Sequence, residues 1–98
     1  MEYNAKLSSD ELDELFSAIL LLETKDDCYR FFEDICTISE IKAIVQRLCV
    51  ARMLDDKVTY QDISQKTGAS TATISRVNRC LQYGAGGYRL VLDRMKGE

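Results

Sequence analysis

The sequence contains no histidine, no proline and no tryptophan, and only five glycines in 98 residues. Without histidine, a zinc site would need all four cysteine thiolates, which lie at scattered positions with no Cys-x-x-Cys pair. We therefore interpret all four cysteines, Cys28, Cys36, Cys49 and Cys80, as reduced thiols. Three of them lie within apolar helical patterns and act as small hydrophobic residues. We expect no metal site and no cofactor.

Long apolar segments are also missing. No run of 18 apolar residues is present, which argues against a transmembrane helix and a membrane partner. The first residues are acidic and lack the basic-then-apolar order of a signal peptide, so we expect a cytoplasmic protein. Because no nucleophile–base pair occurs at a recognisable spacing and histidine is absent, the sequence also argues against an enzyme.

The charge is unevenly distributed along the chain. Residues 1–64 carry 7 basic and 14 acidic side chains, a net charge of −7, whereas residues 65–98 carry 6 basic and 2 acidic side chains, a net charge of +4. The total of −3 argues against a non-specific nucleic-acid binder. A basic surface on an otherwise acidic body is instead compatible with selective DNA binding.

The apolar periodicity predicts an all-α fold in a single domain, residues 1–98. Capping-box spacings at Ser8–Glu11 and Thr37–Glu40 predict the starts of the first and third helices. The glycine-rich segment 83–87 is interpreted as a helix stop, because no strand precedes it and no Lys-Ser/Thr pair follows it. The six predicted helices span about 9–23, 26–36, 38–54, 60–66, 70–82 and 88–96.

The third predicted helix is apolar on nearly all sides, which is typical of a helix buried on several faces. A chain of this size has too few other elements to cover it, so the pattern favours a homodimer that wraps the helix. Arg47 interrupts the apolar pattern. Either its stem packs while its head reaches water, or it lines a pocket that faces an anionic or aromatic ligand.

Residues 59–83 have the outline of a helix-turn-helix, because two short helices flank Gly68. Ile74, Val77 and Leu81 mark the buried face of the second helix. Its other face carries small, hydroxyl and basic side chains: Thr71, Ala72, Ser75, Arg76 and Arg79. Such a face fits a DNA major groove, where small residues allow close approach and the others reach bases and phosphates. Ser70 is interpreted first as the helix N-cap and second as a DNA contact.

Several segments together resemble the Trp repressor superfamily, in particular its small Trp-repressor-related, YerC/YecD-like branch. The resemblance covers roughly residues 35–81 and rests on the stretches 36–40, 43–47 and 68–76. It implies a six-helix Trp-repressor-like fold and an intertwined homodimer. The paired recognition helices of such a dimer enter successive major grooves of a palindromic operator.

The resemblance also implies roles for single residues. Thr71, Ala72 and Ser75 would face base edges, and Arg76 would lie beside both the effector pocket and the DNA. Apart from the resemblance, we expect the basic side chains of Lys66, Arg76 and Arg79 to supply charge to the DNA backbone. Residues expected at or near phosphates are Gln61, Ser64 and Thr73. The family's effector pocket lies between two arginines and a threonine of the partner subunit, and the matching positions here are Arg47, Arg76 and Thr37.

Two pocket positions depart from the family pattern. Val77 stands where the Trp repressor has glycine, and Cys80 stands where it has serine. A branched side chain overpacks the pocket, and a thiol is a weaker hydrogen-bond partner than a hydroxyl. The sequence therefore predicts a double-stranded DNA-binding transcriptional regulator, a repressor, that does not respond to tryptophan and whose effector, if any, is unknown. The alternative is a helical dimerisation or adaptor module whose helix-turn-helix contacts protein.

Overall fold

The computed structural model describes residues 3–97, and within that range it contains six α-helices and no strands. The helices are α1 (Asp10–Ile19), α2 (Lys25–Ile35), α3 (Ile38–Asp55), α4 (Tyr60–Thr67), α5 (Thr71–Tyr83) and α6 (Gly87–Met95). This confirms the predicted fold class. None of these helices is both long and apolar enough to cross a membrane. The chain divides into two compact units, one up to Thr37 and one from Ile38 onward.

The N-terminal unit corrects two details of the prediction. Ser9, not Ser8, caps α1, because the Ser9 hydroxyl accepts the Leu12 N–H. The helix also ends four residues earlier than expected, since Thr24 is extended and its hydroxyl accepts the Asp27 N–H to start α2. The carboxylate of Asp27 in turn accepts the Glu23 N–H, and this bond lowers the pKa of Asp27 with further help from Thr24.

The N-terminal unit buries little apolar surface. Neither α1 nor α2 contains a fully buried residue. Several large apolar side chains are instead exposed: Leu7, Phe16, Leu20, Leu21, Tyr29 and Ile35. Exposed apolar side chains in this number on one small unit are typical of a protein–protein interface.

The C-terminal unit is built around α3, which packs against α4, α5 and α6. Its core consists of one or two buried residues from each of these four helices and one residue from the turn between α4 and α5. These residues are Val50, Ala51, Ile63, Ala69, Ile74, Val77 and Leu92. Each of these side chains is at most 3% exposed. Because the three helices after α3 share this core, the orientation of α5 is fixed by packing rather than by the turn alone.

Only the second half of α3 contributes buried residues, Val50 and Ala51. Ile38 is 74% exposed, Ile44 50% and Val45 55%, so the first half lies open within one chain. The sequence predicts that three cysteines act as small hydrophobes within helical patterns, but a single chain does not bury them. Cys28, Cys49 and Cys80 are exposed and only Cys36 is half-buried, because the helix faces that carry them are not covered here.

Helix α6 is held to the end of α3 by ion pairs. Asp55 accepts hydrogen bonds from Arg89 Nη2 (2.6 Å) and Lys96 Nζ (2.8 Å). The Lys96 ammonium holds the pKa of Asp55 below its ordinary value, with Arg89 acting in the same direction, and the pKa of Lys96 is raised in return. The carboxylate therefore stays ionised and the tether intact at neutral pH.

Candidate nucleic-acid interface

The turn between α4 and α5 is fixed by three side-chain hydrogen bonds. Thr67 Oγ1 donates to the Ile63 carbonyl oxygen (2.7 Å) and accepts the Ala69 N–H (3.1 Å). Ser64 Oγ donates to the Ala69 carbonyl oxygen (2.8 Å). Gly68 ends α4 with φ of 74°, a left-handed conformation that favours glycine. The turn predicted around Gly68 is therefore present.

Helix α5 begins as predicted. Ser70 is its N-cap, and the Ser70 hydroxyl accepts the Thr73 N–H (3.1 Å). Ile74 and Val77 are buried on one face. Five side chains of the opposite face are exposed, and they are the ones expected to meet DNA: Thr71, Ala72, Ser75, Arg76 and Arg79. Together these five residues are called the reading face below.

The residues expected near phosphates fall into two groups. Gln61 and Lys66 of α4 and the capping Ser70 are exposed. Ser64 and Thr73 are half-buried and already hydrogen-bonded within the chain. Because a hydroxyl has one proton, Ser64 cannot donate to a phosphate without releasing the Ala69 carbonyl oxygen. Gln61 and Lys66 are thus better placed for phosphate contacts than Ser64.

A contact that sequence reasoning did not find links the two helices of the motif. Asn78 Nδ2 of α5 donates to the hydroxyl oxygen of Tyr60, the first residue of α4 (3.1 Å). Gln46 of α3 similarly donates to the Thr67 carbonyl oxygen (3.1 Å). Each bond joins residues at least 18 positions apart, and no local pattern indicates such a pair. The first bond holds the two helices of the motif together, and the second braces the motif against α3.

Behind the reading face lies a cavity of about 300 Å³, here called the two-arginine cavity. Its walls come from one face of α3, one face of α5 and Tyr88 of α6: Ala43, Gln46, Arg47, Thr73, Arg76, Val77, Cys80 and Tyr88. Four of the five predicted pocket residues therefore lie together. The fifth, Thr37, belongs to the N-terminal unit, and its contribution from a partner subunit stays a prediction.

An apolar groove of about 610 Å³ adjoins this cavity and shares Arg47, Cys80 and Tyr88 with it. The remaining walls are Ile44, Leu48, Gly84, Ala85, Gly87 and Val91. A Cβ at Gly84 would overlap the Cys80 carbonyl oxygen, so glycine is required for this close turn out of α5. Sequence reasoning missed Tyr88 as a pocket residue, because its place depends on how α6 docks.

In the part of the chain that the structure describes, no ion pair involves either arginine of the cavity. Among residues 3–97, neither Arg47 nor Arg76 lies within salt-bridge distance of a carboxylate, whereas Arg89 is paired with Asp55. Both arginines line the same cavity as Tyr88. Burial raises the pKa of Tyr88, and the positive charges of the two arginines oppose that larger effect. Within the same range, no group of cysteine and carboxylate side chains could hold a metal ion.

The geometry can be compared with known proteins. Residues 10–96 match the family model of the Trp repressor protein. The chain is 58% identical to the uncharacterized protein YerC of Bacillus subtilis (strain 168) over 91 residues, which cover 93% of this chain and 88% of that protein. A crystal structure of a TrpR-like protein from Eubacterium eligens ATCC 27750 superimposes with a TM-score of 0.90 and 55% identity, over 95% of this chain and 96% of that one.

A second crystal structure, of a Trp repressor candidate from Staphylococcus aureus, gives a TM-score of 0.88 and 55% identity, over 95% of this chain and 93% of that one. The family model spans nearly all of the chain, and the fold superimposes on both crystal structures. The expected resemblance is thus confirmed. The chain belongs to the Trp repressor family, whose members are DNA-binding regulators rather than enzymes.

Proposed function

We propose that the protein is a cytoplasmic, sequence-specific transcriptional repressor that binds a palindromic operator as a homodimer. The observation that carries the proposal is the division of α5 into two faces. Ile74 and Val77 anchor one face in the core, and the opposite reading face is exposed, small and basic. A helix supported in this way can enter the major groove without losing its own packing.

The side chains of the reading face and of α4 divide into those that contact bases and those that contact phosphates. Thr71 and Ser75 offer hydroxyl groups to base edges, and Ala72 allows the helix to approach closely. Arg76 and Arg79 reach phosphates from the same helix, and Lys66 does so from α4. Gln61 adds a neutral phosphate contact, while Ser64 and Thr73 lie at the edge of the interface and hold the turn.

Dimer formation is supported by the apolar surface that one chain leaves open. Phe16, Leu20 and Leu21 near the end of α1 are 53–84% exposed. The first half of α3 adds Ile38 and Val45, 74% and 55% exposed. Burying such side chains stabilises a complex by about 1.5–3 kcal/mol each before the cost of association. A second copy of the chain supplies a complementary set, because a twofold interface uses the same surface twice.

Salt dependence provides a first test. Two copies of Lys66, Arg76 and Arg79 bring six cations to the DNA, which predicts a slope of about −5 for log K against log[salt]. The affinity for labelled operator DNA is measured by fluorescence anisotropy at several salt concentrations between about 50 and 200 mM. Lys66→Gln should make the slope shallower by about 2, because each dimer loses two phosphate contacts.

The control is Lys25→Gln, which removes a lysine from the first turn of α2, far from the helix-turn-helix in sequence, and should leave the slope unchanged. A flat salt response of the unmodified protein would contradict the proposed interface. Absence of any preferred fragment in a gel-shift screen of genomic DNA would favour the adaptor module instead.

A further inference from the structure

Tyr60 is the first residue of α4 and is 37% exposed. Its hydroxyl oxygen accepts a hydrogen bond from Asn78 Nδ2 of α5 (3.1 Å). A phenol group carries one proton that it can donate and an oxygen that accepts. Because the bond from Asn78 uses the oxygen as an acceptor, the Tyr60 proton is left to donate, and it meets no acceptor among residues 3–97. The hydroxyl is thus a held donor without a partner in the described part of the chain.

Tyr60 also lines a surface cleft beside the reading face. This cleft has a volume of about 400 Å³, lies between α4 and the start of α5, and is called the α4–α5 cleft below. It shares Thr71 with the reading face and Gln61 with the residues expected near phosphates. Its other walls are Ser64 and Gln65, so no charged side chain of the described residues lines it. The cleft therefore offers neutral hydrogen-bonding groups next to the proposed DNA surface.

Asn78 ties this donor to the recognition helix. It follows Thr71 by seven residues, close to two helical turns, so both lie on the same side of α5. Asn78 is half-buried, between the buried Val77 and the exposed Arg79 of the reading face. The place of the Tyr60 hydroxyl is thus set by the helix proposed to read bases, and a displacement of α5 would also displace the donor.

We propose that the Tyr60 hydroxyl donates a hydrogen bond to one operator phosphate at the α4–α5 cleft, and that Asn78 is the positioning residue that holds the hydroxyl for this contact. The inference rests on the proposed function. A phosphate oxygen is a charged acceptor, so the hydrogen bond is charge-assisted. Such a contact fixes the register of the protein on the duplex. Because the phenol is neutral, it leaves counterion release to the cations Lys66, Arg76 and Arg79.

The first test is Tyr60→Phe, which removes only the hydroxyl group. We expect operator binding, measured by fluorescence anisotropy, to weaken by about tenfold or more per dimer. The slope of log K against log[salt] should stay unchanged, whereas Lys66→Gln makes it shallower. A general loosening of the motif would instead reduce the slope as phosphate contacts are lost. The matched control is Tyr83→Phe, since Tyr83 is 87% exposed and does not line the cleft; it should change neither quantity.

The second test asks whether Asn78 acts through Tyr60. Asn78→Ala should weaken operator binding by several-fold, and the double variant with Tyr60→Phe should bind about as tightly as Tyr60→Phe alone. On the DNA side, operators are prepared that each carry one uncharged methylphosphonate. At one position per half-site, the unmodified protein and Tyr60→Phe should bind with equal affinity, because the phosphate that accepts the hydrogen bond has been altered there.

An unchanged affinity or a shallower salt slope in Tyr60→Phe would overturn the inference. So would additive losses in the double variant, or a difference between Tyr60→Phe and the unmodified protein that persists at every methylphosphonate position. Operator selection by the unmodified protein separates this inference from the proposed function. If an operator is selected and Tyr60→Phe binds it normally, only the phosphate contact fails. If no DNA fragment is preferred, the repressor proposal fails and the inference falls with it.

Discussion

Thr71→Asp should abolish operator binding and leave the protein folded. Thr71 is the first residue of α5 and is exposed, so an aspartate there interacts favourably with the positive end of the helix dipole. On the reading face, however, the new carboxylate meets phosphates and base acceptors of the same sign. Such like-charge contacts cost several kcal/mol, and with two copies per dimer we expect a loss of about a thousandfold or more.

Arg76→Glu should have a similar effect for a different reason, because it replaces a phosphate-binding cation with an anion at an exposed position. The measurement is a gel shift with operator DNA, and thermal unfolding followed by circular dichroism checks the fold. Lys25→Glu is the matched control. It occupies the first position of α2, as Thr71 does of α5, and it makes the same charge reversal as Arg76→Glu on the N-terminal unit. Specific binding by both Thr71→Asp and Arg76→Glu would refute α5 as the reading helix.

The second prediction with a large expected effect concerns the affinity of the protein for tryptophan. The protein should bind tryptophan weakly, and Val77→Gly combined with Cys80→Ser should improve binding by about tenfold to several thousandfold. Val77 is 3% exposed and lines the two-arginine cavity, so its branched side chain occupies space that glycine would leave to a ligand. Serine at position 80 restores a hydroxyl that accepts a hydrogen bond from an ammonium group.

Calorimetry with tryptophan on the unmodified protein and the double variant checks this prediction. Val77→Gly costs about 1 kcal/mol for glycine inside α5 and roughly 1.5–3 kcal/mol more for the lost core side chain, so the melting temperature of the variant should be recorded alongside. Cys49→Ser is the control for the thiol-to-hydroxyl change, because Cys49 lies on α3 and lines neither cavity nor groove. Tight tryptophan binding by the unmodified protein would contradict the prediction that Val77 and Cys80 weaken tryptophan binding.

Local signals made much of the fold predictable. Gly68 and Ser70 are the clearest cases, because a left-handed helix end and an N-cap depend on residues within one turn of each other. The same reasoning placed the start of α1 at the wrong serine, since Ser8 and Ser9 are adjacent and only backbone conformation distinguishes them. The end of α1 was misplaced because apolar periodicity continues to Leu22, although the Thr24–Asp27 cap already begins α2.

The candidate site was predictable only where helical spacing defines it. The positions of Thr71, Ser75 and Arg79 on one face follow from the period of an α-helix. The contributions of Tyr88 and Asn78 do not, because they depend on how α6 and α4 dock against α5. The exposure of Cys80 was likewise missed, since apolar spacing does not show whether a face is covered within one chain or by a second copy.

Selection of bound DNA from a random pool, followed by sequencing, tests the central claim most directly. A homodimer with two recognition helices should enrich a palindrome whose half-sites lie about one helical turn, roughly 10 base pairs, apart. Repeating the selection with cell metabolites present would show whether a metabolite changes the yield of bound DNA. Recovery of a palindrome that Thr71→Asp no longer enriches is the predicted result. A pool that remains random, or an enriched site without twofold symmetry, would contradict the proposal that α5 of a dimer reads DNA.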